Sequence, residues 1–429
     1  MRYLNKKIIL FGAGNDDRTI TTYITENYKN IICIVDNDST KWGENINGYS
    51  IKNPHIICDY LDDKDIIIVV AAFRYHKEIA EQIRSFGWDS ERITVAINEI
   101  PFFKSRDFYI YLHNSDLLHP IPTELNIELS GFCNCKCIYC PFHGEPNLKD
   151  GHKGFMNWET LNAIIKLVKK IPTIKAVDTT GPGEIFLNKT WYEMLKKLLD
   201  NTNIETVVIY TNGMLLTEEN ARKIALLEAK KIRVEVSIDG ESQEENDEYR
   251  IGSNYVTVKE NVNAALQIFK ESKCKIELVI TNCYPAKMED IERSKYKSIS
   301  RYNPVPQFLQ EDFGEVTLIS QKTFSYGKDE FSKFKTIKVE LPESERNGCI
   351  NLFYRLAINF EGKLLRCSCG HAGIEGIGSV FSDDILDLWY NEEQIQKARR
   401  NFIEKNLEDD FCTGCPGKGL EEFSLLVKK

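Results

Sequence analysis

The stretch Gly131–Pro141 reads G-F-C-N-C-K-C-I-Y-C-P, which sets Cys133, Cys137 and Cys140 in the pattern C-x3-C-x2-C. Three thiolates on one short loop suit an iron–sulfur cluster. A zinc ion would need a fourth nearby ligand to close its tetrahedron. A cubane held by three cysteines keeps one iron open to a ligand that the protein does not supply. Cys135 shares the loop; using it would break the spacing, so it reads as a spectator.

The element that must carry this loop is the run before it. Across Thr123–Ser130, Leu125, Ile127 and Leu129 alternate with Asn126, Glu128 and Ser130. That is strand periodicity. The cysteines therefore follow a strand's carboxyl end, the edge where α/β folds place chemistry. Beyond them, Asn157 reads as an N-cap for a helix with Leu161, Ile164, Ile165 and Val168 on one face. A strand at Ala176–Thr180 runs into Gly181-Pro182-Gly183-Glu184, and a helix follows around Trp191–Leu199. A strand at Glu205–Tyr210 ends in Thr211-Asn212-Gly213, and Thr217 caps the next helix. A strand at Arg233–Ile238 reaches Asp239-Gly240, followed by a helix over Val258–Phe269 and a strand at Lys275–Thr281. This alternation implies parallel strands with right-handed crossovers.

Further cysteines gather near the end. Cys349, Gly362 and Cys367 give C-x12-G-x4-C, and Cys412 and Cys415 give C-x2-C. Arg355–Phe360 and Lys363–Arg366 flank Glu361-Gly362 as a hairpin, and Ile377–Tyr390 leads into a helix through Arg400. On spacing alone, these four cysteines also fit a zinc site. Cys33, Cys58, Cys274 and Cys283 lie in or beside strands and read as core residues.

The cysteine triplet, with aromatic Tyr139 just before its third member, resembles the radical S-adenosylmethionine (SAM) superfamily. The region Thr123–Asn282 resembles that superfamily's partial (β/α)6 TIM barrel. Gly181–Glu184 resembles the motif that holds the ammonium of SAM's methionine, with Pro182 in place of one glycine and Ile185 where a proline often stands. By the same resemblance, Ser237 matches a hydroxyl that contacts the SAM carboxylate or ribose. Arg250, in E-Y-R-I-G, matches an arginine that pairs with the SAM carboxylate. The hairpin, the Ile377–Tyr390 stretch, the helix and the final C-x2-C resemble SPASM and Twitch domains. The resemblance implies one auxiliary [4Fe–4S] cluster on Cys349, Cys367, Cys412 and Cys415, with Cys369 a substitute for Cys367. Gly417–Lys429 adds no further cysteine, so the Twitch form, with a single such cluster, is expected.

The first hundred residues form another pattern. Lys7–Phe11 is an apolar strand running into Gly12-Ala13-Gly14, followed by amphipathic Thr19–Tyr28, a strand at Ile31–Val35 and Asp36. This is a Rossmann-like βαβ signature. A third strand, Ile66–Ala72, precedes a helix at His76–Phe86. Asp17 stands where the third glycine of the fingerprint belongs, and its charge would repel phosphate. The segment Val35–Pro54 resembles the N-terminal domain of bacterial sugar-modifying acyltransferases and related nucleotide-sugar proteins. Two readings stand for Gly12, Gly14 and Asp36: a nucleotide or sugar-nucleotide site, or a docking module.

The expected domains are 1–100 Rossmann-like, 101–122 linker, 123–340 barrel and 341–429 auxiliary-cluster domain. The chain has 429 residues and a net charge of −9, which argues against a broad nucleic-acid footprint. It has no membrane-spanning apolar run and no signal peptide, so a cytoplasmic protein is expected. Thirteen cysteines suit thiolate ligands in a reducing compartment.

The resemblance implies an oxidoreductase that cleaves SAM reductively and abstracts hydrogen from a carbohydrate-like or nucleotide-linked small molecule, with two-electron dehydrogenation as the net result. A flavodoxin or ferredoxin would supply the electron. A four-cysteine auxiliary cluster has no open iron and would transfer electrons. The alternatives are a peptide maturase or an epimerase, and a non-enzymatic electron carrier. Peptide maturases often carry a winged-helix leader-binding module, whereas this chain begins with a Gly-x-Gly βαβ pattern. Among the acidic and basic residues of Cys283–Leu341, none is singled out as a general base.

Overall fold

A computed structural model describes residues 6–13, 15–72, 76–96, 120–144, 153–293, 299–323, 333–340, 351–368, 376–404 and 422–428. The chain divides into two units, Met1–Asn114 and Ser115–Lys429.

The first unit is built on strands β1 (Lys7–Phe11), β2 (Ile31–Val35), β3 (Asn45–Ile46), β4 (Tyr49–Lys52), β5 (Ile66–Val70) and β6 (Ile93–Val95). They lie in the order β3-β4-β2-β1-β5-β6, and only the β3–β4 pair is antiparallel. Ile8 and Leu10 pack on one face with Ile20 and Ile24 of the helix Asn15–Asn27. Ile9 and Phe11 pack on the other with Ile79 and Ile83 of the helix His76–Ser85. Cover on both faces explains why β1 and β5 are almost wholly apolar, with no alternation.

The second unit adds strands β7 (Glu124–Ile127), β8 (Lys136–Cys137), β9 (Ala176–Asp178), β10 (Thr206–Thr211), β11 (Lys231–Ser237), β12 (Arg250–Ile251), β13 (Lys275–Tyr284), β14 (Thr317–Lys322), β15 (Phe334–Glu340), β16 (Arg355–Ile358), β17 (Leu364–Leu365) and β18 (Glu422–Lys428). The main sheet runs β14-β13-β11-β10-β9-β7-β16-β17. Its first seven strands are mutually parallel. Six of them, from β7 to β14 in chain order, make the partial barrel. β16 adds a seventh at the β7 edge, and β17 returns antiparallel to it. The hairpin at Glu361-Gly362 thus continues the barrel sheet. Its turn needs Gly362, whose φ of +82° strains any residue with a Cβ.

Alternation decides which side chains enter the barrel. Leu125, Ile127, Val177, Val207, Ile209, Ile232, Val234, Val236, Leu356 and Ile358 join the core under the helices. Their neighbours Glu124, Asn126, Asp178, Tyr210, Arg233, Glu235 and Arg355 therefore take the inner face. Asn157 caps the helix Trp158–Lys169 by accepting from the Thr160 N–H at 2.9 Å. Thr217 caps Glu218–Ala225 by accepting from the Asn220 N–H at 3.3 Å.

The inner face is held by ion pairs. Arg355 Nε lies 2.6 Å from Glu124 Oε1, and its Nη2 lies 3.1 Å from Asp178 Oδ2. Those carboxylates keep Arg355 charged against the effect of burial. Removing one partner of a buried pair leaves the other charge uncompensated. Arg355→Met is expected to lower unfolding free energy by about 3–5 kcal/mol, read by urea denaturation. A loss below about 1 kcal/mol would show that the trio carries no structural weight.

Candidate active site

The cysteine loop begins at Gly131, four residues past the end of β7. Its path is set by neighbours that leave no room for side chains. A Cβ on Gly183 would collide with the carbonyl oxygens of Ser130 and Phe132, and one on Gly181 would come within 2.9 Å of Glu128 Cγ. The Glu184 N–H donates to the Phe132 carbonyl at 2.7 Å. The G-P-G-E turn beyond β9 is therefore packed against the loop's entrance. On the far side, β8 pairs antiparallel with β12, which sets Cys137 opposite Arg250. Gly252 (φ +94°) lies where a Cβ would stand 2.7 Å from the Asn134 carbonyl. The Cys140 N–H donates to the Cys137 carbonyl at 2.8 Å, closing a tight turn.

Glu184 is buried and engaged. It accepts from the Thr211 hydroxyl and the Asn212 N–H, both at 2.8 Å. Burial pushes its carboxyl up to about 7 even though those bonds oppose the shift. Asn212 also donates to Asn134 Oδ1 at 2.7 Å and to Cys133 Sγ at 3.8 Å. Ser237 ends β11, level with Thr281 on β13.

Arg250 and Tyr139 meet on Asp239. Arg250 Nη1 lies 2.5 Å from Asp239 Oδ2, and the Tyr139 hydroxyl donates to the same oxygen. Asp239 Oδ1 accepts from the Cys283 N–H at 2.9 Å. Burial works against the charge on Arg250, but Cys137 and Asp239 outweigh it. Burial, reinforced by Asp239, keeps the Tyr139 phenol protonated.

The residue matched to a SAM-carboxylate contact is thus already committed through one nitrogen. Its Nε is buried without a hydrogen-bond partner among the described residues. That orphan donor, beside Cys137, fits an anionic guest.

The thiols differ in character. Burial pushes Cys137 up to about 12 and also raises Cys140. Cys133 is lowered to about 6 because the Cys135 thiol hydrogen-bonds to it. Cys135, within the same loop, is buried, and its N–H lies 3.4 Å from Cys133 Sγ. Iron favours the thiolate form that burial alone disfavours, and three soft donors on one loop are the ligand set of a cluster.

Asn212 and Asp239 were the residues sequence reasoning missed as site components. Each is the first polar residue past a strand, followed by a glycine of positive φ, Gly213 (+80°) and Gly240 (+88°). That repeated strand–polar–glycine signal was present in the sequence. Cys349, Cys412 and Cys415, with Cys369, lie outside the described residues, as does Gly14. Cys367 is described and lies two residues past β17, in no disulfide. Among the described residues no group of three or more His, Cys, Asp or Glu is placed to hold a single metal ion.

In the first unit, the Gly12 N–H donates to the Val35 carbonyl at 2.9 Å, and a Cβ on Gly12 would approach the Ala72 nitrogen. Asp36 is buried and spends both oxygens locally. One accepts from the Ala13 N–H, the other from the Asp38 N–H. Its carboxylate closes the glycine turn. Among the described residues no helix is long and apolar enough to cross a membrane.

A family model described as the radical SAM superfamily matches residues 127–292, and one described as C2185-like, N-terminal, matches residues 4–94. The GTP 3',8-cyclase of Pelotomaculum thermopropionicum is 29% identical over 143 residues, 33% of this chain and 42% of that protein. The probable GTP 3',8-cyclase of Methanococcus maripaludis is 29% identical over 145 residues, 34% of this chain and 46% of that protein. The chain thus spans less than half the length of these relatives. Among solved structures, BtrN in complex with AdoMet and 2-DOIA aligns with a TM-score of 0.41 at 14% identity, covering 70% of this chain and 92% of that one. Streptococcus suis SuiB bound to S-adenosylmethionine aligns with a TM-score of 0.44 at 16% identity, covering 82% and 83%. Residues 127–292, which hold Cys133, Cys137 and Cys140, thus form a radical SAM domain, of a superfamily whose enzymes use S-adenosylmethionine and a [4Fe–4S] cluster.

Proposed function

We propose that this chain is a radical SAM oxidoreductase acting on a carbohydrate-like or nucleotide-linked small molecule, with a two-electron dehydrogenation as the net reaction. The observation that carries this reading is the convergence of Glu184, Ser237 and Arg250 on the strand edge that bears the three cysteines, above a polar barrel interior. When bound, the cluster and SAM supply reductive carbon–sulfur cleavage and a 5′-deoxyadenosyl radical for hydrogen abstraction.

The chain's own residues position and shield. Cys133, Cys137 and Cys140 hold the cluster. Glu184, buried and fixed by Thr211 and Asn212, presents a carboxylate to the ammonium of SAM. Gly181 and Gly183 let the backbone approach closely. Arg250 offers its unpartnered Nε to the SAM carboxylate while Asp239 keeps the guanidinium in place. Tyr139 anchors the loop on Asp239, and Ser237 would face the SAM carboxylate or ribose. Cys367, with Cys349, Cys412 and Cys415, would hold an auxiliary [4Fe–4S] cluster that takes the substrate's electron. A cytoplasmic flavodoxin or ferredoxin would supply the first electron.

Replacing Cys133, Cys137 and Cys140 together with Ala should abolish 5′-deoxyadenosine formation in anaerobic protein given dithionite and SAM. The variant should keep the spectrum of the auxiliary cluster. Loss of every cluster signal would show that the cysteines are divided differently between sites.

The raised carboxyl of Glu184 sets a pH dependence. Only its ionised form attracts an ammonium, so SAM binding should weaken as pH falls through about 7, by up to about tenfold per pH unit. Glu184→Gln should flatten that profile. The native state also binds this proton more tightly than the unfolded chain does. The group's contribution to stability is therefore present below the ordinary carboxyl range and lost as pH rises through about 7. A SAM dissociation constant that stays flat through this range in the native sequence would remove Glu184 from the site.

A further inference from the structure

Asn212 stands just past the end of β10, 4% exposed, and each hydrogen-bonding group it carries has a place. Its backbone N–H donates to Glu184 Oε2 at 2.8 Å. Its side-chain oxygen accepts from the Met214 N–H at 3.0 Å, which fixes the amide's orientation and turns the NH2 group the other way. There the nitrogen lies 2.7 Å from Asn134 Oδ1 and 3.8 Å from Cys133 Sγ, one acceptor for each of its two hydrogens. Both acceptors belong to the cysteine loop.

The turn that aims the amide is pinned. Gly213 holds a φ of +80°, and a Cβ there would stand 2.7 Å from Val258 Cγ1 and 2.9 Å from Val236 Cγ1. Asn261, on the helix Tyr255–Lys270, donates to the Gly213 and Met214 carbonyls at 2.9 and 3.1 Å. The contact with Glu184 does not call for an asparagine, because any residue except proline would supply that backbone N–H. The side chain is spent on the cysteine loop instead. The Cys135 N–H approaches the same sulfur at 3.4 Å, so Cys133 Sγ is met by two N–H donors. Cys137, by contrast, stands opposite Arg250 across the β8–β12 pair.

A cluster that gains an electron gains negative charge, part of it on its cysteine sulfurs. Donors aimed at those sulfurs stabilise the reduced form and raise the reduction potential. We propose that the Asn212 amide donates to the Cys133 sulfur of the bound cluster and raises its reduction potential, so that a weaker reductant can deliver the electron. Asn212 is a positioning residue in this role, since it acts through Cys133. The proposal rests on the reading of Cys133 as a cluster ligand.

The test is an EPR-monitored redox titration of the full chain, anaerobically reconstituted. The signal followed is the one that changes when SAM is added, which marks the cluster with the open iron. Asn212→Leu keeps the volume and removes the donor. Its midpoint should fall by about 59 mV, the equivalent of a tenfold loss in the one-electron reduction constant. The SAM dissociation constant, read by calorimetry, should hold at the native value, because the bond to Glu184 comes from the backbone. A second measurement needs no variant. In native protein labelled with 15N in the asparagine side chains, pulsed EPR of the reduced cluster should show a nitrogen coupling. The inference is overturned by an unchanged or raised midpoint in Asn212→Leu, or by native protein without that coupling. Weaker SAM binding at an unchanged midpoint overturns it too, and assigns Asn212 to the support of Glu184. A native protein with no SAM-sensitive signal sinks the cluster reading itself, and this inference with it.

Discussion

Asp239 is the point on which the second unit's chemistry depends. Its carboxylate is buried just past β11, and from there it holds the Tyr139 hydroxyl, the Arg250 guanidinium and the Cys283 N–H. A buried carboxylate is tolerated only when its lone pairs are filled and its charge is matched. Tyr139 and Arg250 meet both demands, and each is locked in return. Tyr139 belongs to the cysteine loop, and Arg250 pairs through its backbone with Cys137. One carboxylate thereby ties Tyr139 of the loop to a strand end about a hundred residues on in sequence.

The rest of the loop is held by close backbone approach. Gly183 brings the G-P-G-E turn against the carbonyls of Ser130 and Phe132, and Gly252 does the same at Asn134. Side chains at these positions would push the loop off its support. The cluster-bearing segment is thus gripped from both sides by contacts that only glycine permits. An apolar cluster stands behind it, in which Ile138 and Tyr139 pack against Tyr249, Phe334 and Leu426. Phe334 and Leu426 come from the antiparallel pair β15 and β18, so the last described strand helps to seat the loop.

The two units solve burial in opposite ways. In the first, both faces of the parallel sheet are apolar and covered by helices, and Asp36 is consumed in closing the glycine turn. In the second, one face is apolar and the other is lined by charges that must find partners inside the barrel. A polar interior costs stability, and it keeps hydrogen-bonding groups where a small polar molecule can meet them.

Much was legible in the chain itself. The cysteine spacing, the alternation from Leu125 to Leu129, the limits of β1 and β2, and the caps at Asn157 and Thr217 all follow from local pattern. Local rules suffice there because side-chain period and capping chemistry act over a few residues. β14 was harder, since its stretch lacks clear periodicity, and β16 could not be placed beside β7 from pattern alone. Register between distant strands is a tertiary property.

The sequence by itself determined which residue types could bind a cluster, the alternation of strand and helix from β7 to β13, and which face of each of those strands is apolar. Only the tertiary structure decided that Asp239 would join Tyr139 to Arg250, that Asn212 would reach Cys133, and that Arg355 would bridge Glu124 and Asp178. Those contacts join groups far apart along the chain. Their partners are chosen by the burial of charge and the fit of neighbouring strands, which no local pattern encodes.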